Sequence, residues 1–190
     1  MNGWKKKFND FGVLNFELKK KIIYNIMNSK SYNKKVFNEL QNYKFEFPEK
    51  FSNENLNKLR QNLAVEIIKG IQNNVNKNLF YIEAPTGSGK TNLSILALAE
   101  FIKNDIDKNQ NNITKVFYIF PFTTLITQTF KVLKETLGLN DEEIVQIHSK
   151  TGFIQKEHDD KYGTEKLNII DYQFLNYPIC LMSHVRFFDI

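Results

Sequence analysis

The chain has 190 residues, with 26 Lys and Arg against 21 Asp and Glu and a formal net charge of +5 at pH 7. That length suits one domain with a short appendage, and the basic excess is too small to demand a polyanionic partner. The single cysteine, Cys180, excludes an internal disulfide framework and a cysteine-based zinc site. No apolar run approaches the roughly 20 residues of a membrane span. The start, Met1 to Lys7, leads into polar residues and not into the apolar core of a secretory signal. A cytoplasmic protein with no membrane association is expected. Only Arg60 and Arg186 are arginines, a lysine and asparagine bias that reads as the codon usage of an AT-rich genome.

Residues 1–50 are rich in Lys and Asn and read as a linker or appendage, with one helix expected over Phe16 to Met27 and Leu18, Ile22, Ile23 and Ile26 near one face. Phe47-Pro48 interrupts any regular pattern. From Asn53 the pattern sharpens. Leu56, Leu59, Leu63, Ile67 and Ile71 recur at spacings of three and four, the mark of an amphipathic helix. Asn78 to Glu83 is a short apolar run that suits a buried parallel strand. Leu93 to Ile102 predicts a helix apolar almost all round, set deep between layers. Lys115 to Phe120 reads as a second buried strand, and Thr123 to Leu137 as a helix closed by Gly138. Ile144 to His148 and Pro178 to Ser183 are further strand candidates, with a charged loop over 154–166 between them. Alternation of strand and helix gives an α/β fold with a mainly parallel sheet.

Between the first strand candidate and the apolar helix lies Ala84-Pro85-Thr86-Gly87-Ser88-Gly89-Lys90-Thr91. This is the context a P-loop requires. Small residues let backbone wrap around phosphate oxygens, and Gly87 and Gly89 can adopt positive φ. Successive amides then form an anion nest at the positive end of a helix. In that arrangement Pro85, Thr86, Gly87, Ser88 and Gly89 cradle the phosphates of ATP. Lys90 supplies a point charge to the β and γ phosphates, and the Thr91 hydroxyl ligates Mg²⁺.

A P-loop does not by itself separate kinases, GTPases and motors. The segments that follow it are more specific. Phe120-Pro121-Phe122-Thr123-Thr124-Leu125-Ile126-Thr127-Gln128 resembles motif Ia of superfamily-two helicases, a helix N-terminus whose hydroxyls and amides can hold a nucleic-acid backbone. A simple helix cap at Thr123 or Thr124 is the plainer reading. His148-Ser149-Lys150-Thr151-Gly152 looks like motif Ib, or else a polar loop. Leu175 to Ile190, together with Phe80 to Ser94, resembles the CRISPR-associated helicase-nucleases of type I interference systems, and this resemblance covers roughly residues 55–190.

The resemblance implies a RecA-like first helicase lobe over 51–190, incomplete at the C-terminus. It implies ATP and Mg²⁺ as cofactors, single-stranded DNA as the track and an RNA-guided surveillance complex as partner. It also implies that Gln61 reads the adenine edge, an exposed polar helix residue being the alternative, and that Ser183 and His184 join Pro121, Thr123, Thr124, Gln128, His148, Ser149 and Lys150 along the DNA path, a capping role being the alternative for His184. Departures are plain. The Asp-Glu motif, the second lobe and the HD nuclease domain are absent from the sequence, so a fragment with negligible hydrolysis of its own and open sheet edges is expected. His158-Asp159-Asp160 reads as a solvated loop and Cys180 as inert core. The alternatives are a non-catalytic nucleotide-binding or interaction module from a split gene, and another superfamily-two nucleic-acid motor.

Overall fold

The computed structural model describes residues 12–45, 53–108, 112–147 and 175–188. Two compact units divide the chain: Lys19–Asn111, and Met1–Leu18 together with Asn112–Ile190.

The first unit is helical. It holds α1 (Phe16–Ser29) from Lys19 onward, α2 (Ser31–Glu39) with a 3-10 turn at Leu40–Asn42, α3 (Asn53–Gln72) and α4 (Lys90–Asp107). The start of α1 is set by Asn15, whose Oδ1 accepts the Leu18 amide at 2.9 Å. Ile22 and Ile26 are fully buried, as the i, i+4 spacing predicts. Val36 on α2, Ala64, Val65 and Ile68 on α3, and Leu93, Leu96 and Ile102 on α4 complete an apolar interior. The predicted end of the appendage at residue 50 therefore does not coincide with the division between units, because α1 and α2 pack in the same unit as α3 and α4.

The helix α4 is buried as expected, but it is not apolar all round. Glu100 and Asp105 are buried on it. Lys19 meets Asp105 at 2.7 Å with both side chains nearly sealed from solvent, and Gln72 donates to Glu100 at 2.8 Å. A buried charge is costly unless paired; Asp105 has the Lys19 ammonium from α1, whereas Glu100 has the neutral Gln72 amide from α3 and its Oε2 meets no hydrogen-bond partner among the described residues.

One strand expectation fails. Residues 79–83 are neither strand nor helix, and Leu79 and Tyr81 are 88% and 86% exposed. A parallel strand holds its shape through neighbours on both ladders, and no described residue pairs with this segment. The apolar pattern alone cannot supply the partner.

The second unit carries a three-stranded parallel sheet, β1 (Val116–Phe120), β2 (Ile144–Ile147) and β3 (Ile179–Ser183), in the order β1-β3-β2. The last strand in sequence sits in the middle, and Ile179 to Met182 are fully buried. Val116 pairs with Ile179 and Phe120 with Ser183 on one side, while Ile144 pairs with Ile179 and Ile147 with Met182 on the other. The strand β1 was expected to be buried but lies at an edge, with Phe117 and Ile119 about two-fifths exposed. Between β1 and β2 runs α5 (Thr123–Leu137), burying Ile126, Thr129, Leu133 and Leu137 at three- and four-residue spacing. It ends where predicted. Gly138 is left-handed, and the Leu139 amide reaches back to the Lys134 carbonyl at 2.9 Å, a Schellman closure. A short helix, α6 (His184–Phe188), follows β3. The polar loop over 154–166, with His158, Asp159 and Asp160, lies outside the described residues.

Cys180 is fully buried in β3, and burial pushes its thiol up to about 11, with the Lys115 charge opposing the shift. A thiol reagent at pH 8 is expected to label Cys180 only after denaturant unfolds the sheet; rapid labelling of the native chain would contradict this burial. Because the folded thiol holds its proton more tightly than the unfolded one, its contribution to stability is present below about pH 9 and is lost as pH rises through the folded value of about 11. Asp105→Ala strands the Lys19 ammonium, and urea unfolding is expected to show a loss of about 3 kcal/mol. A change below about 0.5 kcal/mol would mean the pair is solvated.

Candidate functional site

The helical unit brings the phosphate-loop candidates to the N-terminus of α4. Pro85 to Ser88 form a turn, with the Ser88 amide donating to the Pro85 carbonyl at 3.2 Å. Gly87 has φ +81° and Gly89 φ +82°, conformations that side chains rarely adopt. A Cβ on Gly87 would meet nothing within 4 Å, so that face of the loop is open. Gly89 is the N-cap of α4, and no side chain caps the helix there. The first amides of α4 are thus left for a ligand or for water, at the positive end of the helix dipole. Lys90 and Thr91 stand exposed on the first turn, as do Pro85, Thr86 and Gly87 before it. Ser88 is buried, and its hydroxyl has no hydrogen-bond partner among the described residues.

Polar contacts not foreseen from the sequence hold this loop and the first turn of α4. Arg60 on α3 donates from Nη2 to the Gly87 carbonyl at 3.2 Å and from Nη1 to Asn57 Oδ1 at 3.1 Å. Asn92, one residue past Thr91, exchanges hydrogen bonds with Asn33 of α2, at 3.0 Å from its own amide and 3.4 Å in return. Asn33 is fully buried and also donates to the Ile26 carbonyl at 3.0 Å. Burial raises the Tyr32 phenol above its usual range, and the Arg60 charge pulls it back, so the two lie within electrostatic reach. The one sequence signal for Arg60 is its rarity, an arginine where nearly every other basic residue is lysine.

Gln61 neighbours Arg60 on α3 and is half-buried, with its Oε1 at 3.3 Å from the Tyr43 hydroxyl. That hydroxyl also lies 3.0 Å from Asn62 Oδ1. A cleft lined by Leu63, Ile67, Phe80, Ile82, Leu93 and Phe101 runs along α3 and α4, but none of Pro85 to Thr91 lines it. It is not where phosphate would sit.

The nucleic-acid candidates fall in the sheet unit. Phe120 and Ser183 are register partners, so Pro121 and His184 leave adjacent strands at the same, carboxyl end of the sheet. Pro121, Thr123, Thr124 and Gln128 are exposed. Neither threonine caps α5. The N-cap is Phe122, two-thirds exposed and with no side-chain acceptor to offer. Ser183 does cap: its Oγ accepts the Arg186 amide at 3.3 Å at the start of α6. His184 is exposed. His148, Ser149 and Lys150 lie outside the described residues; β2, which precedes them, ends at Ile147 opposite Met182. The geometry thus groups Pro121, Thr123, Thr124, Ser183 and His184 at one sheet end. Ligands of open α/β sheets characteristically bind at that end.

No helix of the described residues is long and apolar enough to cross a membrane. Neither a curated protein nor a solved structure matches the chain. The family model described as DEAD/DEAH box helicase matches residues 58–190, from the Arg60 helix through the loop and the sheet. That span is well over half of the chain, and with the small parallel sheet it makes a partial RecA-like P-loop lobe; the chain belongs to the DEAD/DEAH box helicase family.

Proposed function

We propose that the chain is the ATP-binding part of a motor that moves along single-stranded DNA. Family membership already carries nucleic-acid-dependent ATPase chemistry in general terms, with ATP and a divalent metal as the customary cofactors. The observation that supports placing the nucleotide at Pro85 to Thr91 is the uncapped N-terminus of α4, preceded by two glycines at positive φ. The residues present fit the group. The loop is open over Gly87, a lysine and a threonine stand exposed on the first helical turn, and the buried Ser88 hydroxyl awaits a partner.

In this reading the amides from Gly89 onward donate to the phosphates, and Lys90 neutralises the β and γ oxygens. Thr91 offers its hydroxyl to Mg²⁺, which when bound neutralises charge on the phosphate oxygens. Gln61 lies on the helix before the loop, with the polar character needed to read an adenine edge. Thr123 and Thr124, at the exposed start of α5, donate to the DNA backbone, with His184 beside them at the same sheet end and His148, Ser149 and Lys150 continuing the path. Contacts of this kind are sequence-blind and weaken with salt.

The narrower assignment, a helicase-nuclease of CRISPR antiviral defence working with an RNA-guided surveillance complex, is supported by sequence alone. The supporting segments are Leu175 to Ile190 and Phe80 to Ser94.

Lys90→Ala is expected to weaken MgADP binding at least about tenfold by isothermal titration, because it removes one charge-assisted contact to phosphate. Equal affinity in wild type and variant would sink the loop assignment. Thr123→Glu with Thr124→Glu places negative charge at the start of α5, and fluorescence anisotropy with labelled oligo-dT should show binding about tenfold weaker. Wild-type binding that does not fall as salt rises would remove the backbone path. Tighter binding to RNA of matched length would point to an RNA motor instead.

A further inference from the structure

We propose that Arg60 is a positioning residue of the phosphate loop, one that fixes the Gly87–Ser88 peptide plane for nucleotide binding. The inference deepens the nucleotide-binding reading and rests on it. The carbonyl and the following amide of a peptide point in opposite directions. A donor held on the Gly87 oxygen therefore also sets the Ser88 amide. Arg60 Nη2 sits 3.2 Å from that oxygen, and the Ser88 amide on the other side closes the turn to Pro85 at 3.2 Å.

The peptide needs such a hold. Gly87 has open space on its Cβ side, and Gly89 follows one residue later, so the backbone here has little steric restraint of its own. A flip would turn the Gly87 carbonyl towards the space a phosphate occupies, where its oxygen would repel an anion. A cationic donor on the outer side opposes that flip.

The guanidinium is itself held. Nη1 donates to Asn57 Oδ1 one turn earlier on α3, which orients the planar fork. Its Nε and Cδ would lie 3.7 and 3.9 Å from a Cβ on Gly89, so the same side chain covers both glycines. Nε is buried without a hydrogen-bond partner among the described residues. Arg60 is thus stretched across the loop between two glycines, touching the outer face of the first through its charge and the second through its stem.

Two variants separate positioning from packing. Arg60→Met keeps an unbranched stem over Gly89 but removes every donor, while Arg60→Lys keeps a charge and a donor group without the planar fork. Titration of the full chain with MgADP is expected to show about a tenfold loss for Arg60→Met and recovery to within about threefold of wild type for Arg60→Lys, both with unchanged melting curves. Hydrogen exchange of the nucleotide-free chain is expected to quicken at Ser88 in Arg60→Met. Wild-type affinity in Arg60→Met overturns the proposal, as does an equal loss in both variants, which would leave Arg60 a packing residue. If wild type itself binds no MgADP, the nucleotide reading falls and this proposal with it. If wild type binds, Lys90→Ala does not and Arg60→Met does, only the proposal fails.

Discussion

A loop that holds an anion with its own amides cannot use those amides to hold itself in shape. Most backbone segments keep their conformation by pairing N–H with C=O. At the start of α4 no described side chain caps the helix, and in the proposed reading its first amides are offered to phosphate. The shape has to be enforced from elsewhere. Two left-handed glycines set the path, and the Pro85 to Ser88 turn closes one corner. Arg60 ties the Gly87 carbonyl from α3, and the Asn33–Asn92 exchange ties the first turn of α4 to α2.

The helix α4 also carries buried charge. In the proposed reading its N-terminus is kept for a ligand, and its anchoring lies along its length. Burying Leu93, Ile95, Leu96, Ala99 and Ile102 supplies most of that anchoring. The Lys19–Asp105 pair and the Gln72–Glu100 bond add direction to it, since an apolar face can slide by a turn while a paired charge in a dry interior cannot. Three different helices, α1, α2 and α3, thus grip α4 by polar contacts, and residues 19–45 are part of what sets the loop.

In the sheet unit the organising fact is the position of β3. It comes last in sequence and lies between β1 and β2. Parallel pairing brings the ends of β1 and β3 together at Phe120 and Ser183, and so groups exposed hydroxyls and an imidazole that are about sixty residues apart in the chain. The mixed fate of those residues follows from local chemistry. Ser183 finds the Arg186 amide in the tight turn behind it, whereas Thr123 and Thr124 sit inside α5 and have no helix terminus to cap.

Local signals were legible in the sequence. Period and caps located α1, α3, α4 and α5 closely, Gly138 marked a helix end, and the spacing of Gly87 and Gly89 marked the loop. These depend on each residue's own φ preference or on neighbours within one turn, so a string of letters suffices. What needed tertiary structure was everything decided by partners distant in the chain. Residues 79–83 have the composition of a strand yet pair with no described residue, since an apolar run cannot summon the ladder that would make it one. Glu100 and Asp105 look like ordinary helix-surface charges until their partners from α1 and α3 are in place. Arg60 reads as an exposed cation on an amphipathic helix, and only the approach of α3 to Gly87 shows that its fork meets a carbonyl. Sequence sets what each residue can donate, accept or bury; the fold decides which distant group receives it, because hydrogen bonds and ion pairs act over a few ångströms of space and not over positions in a chain.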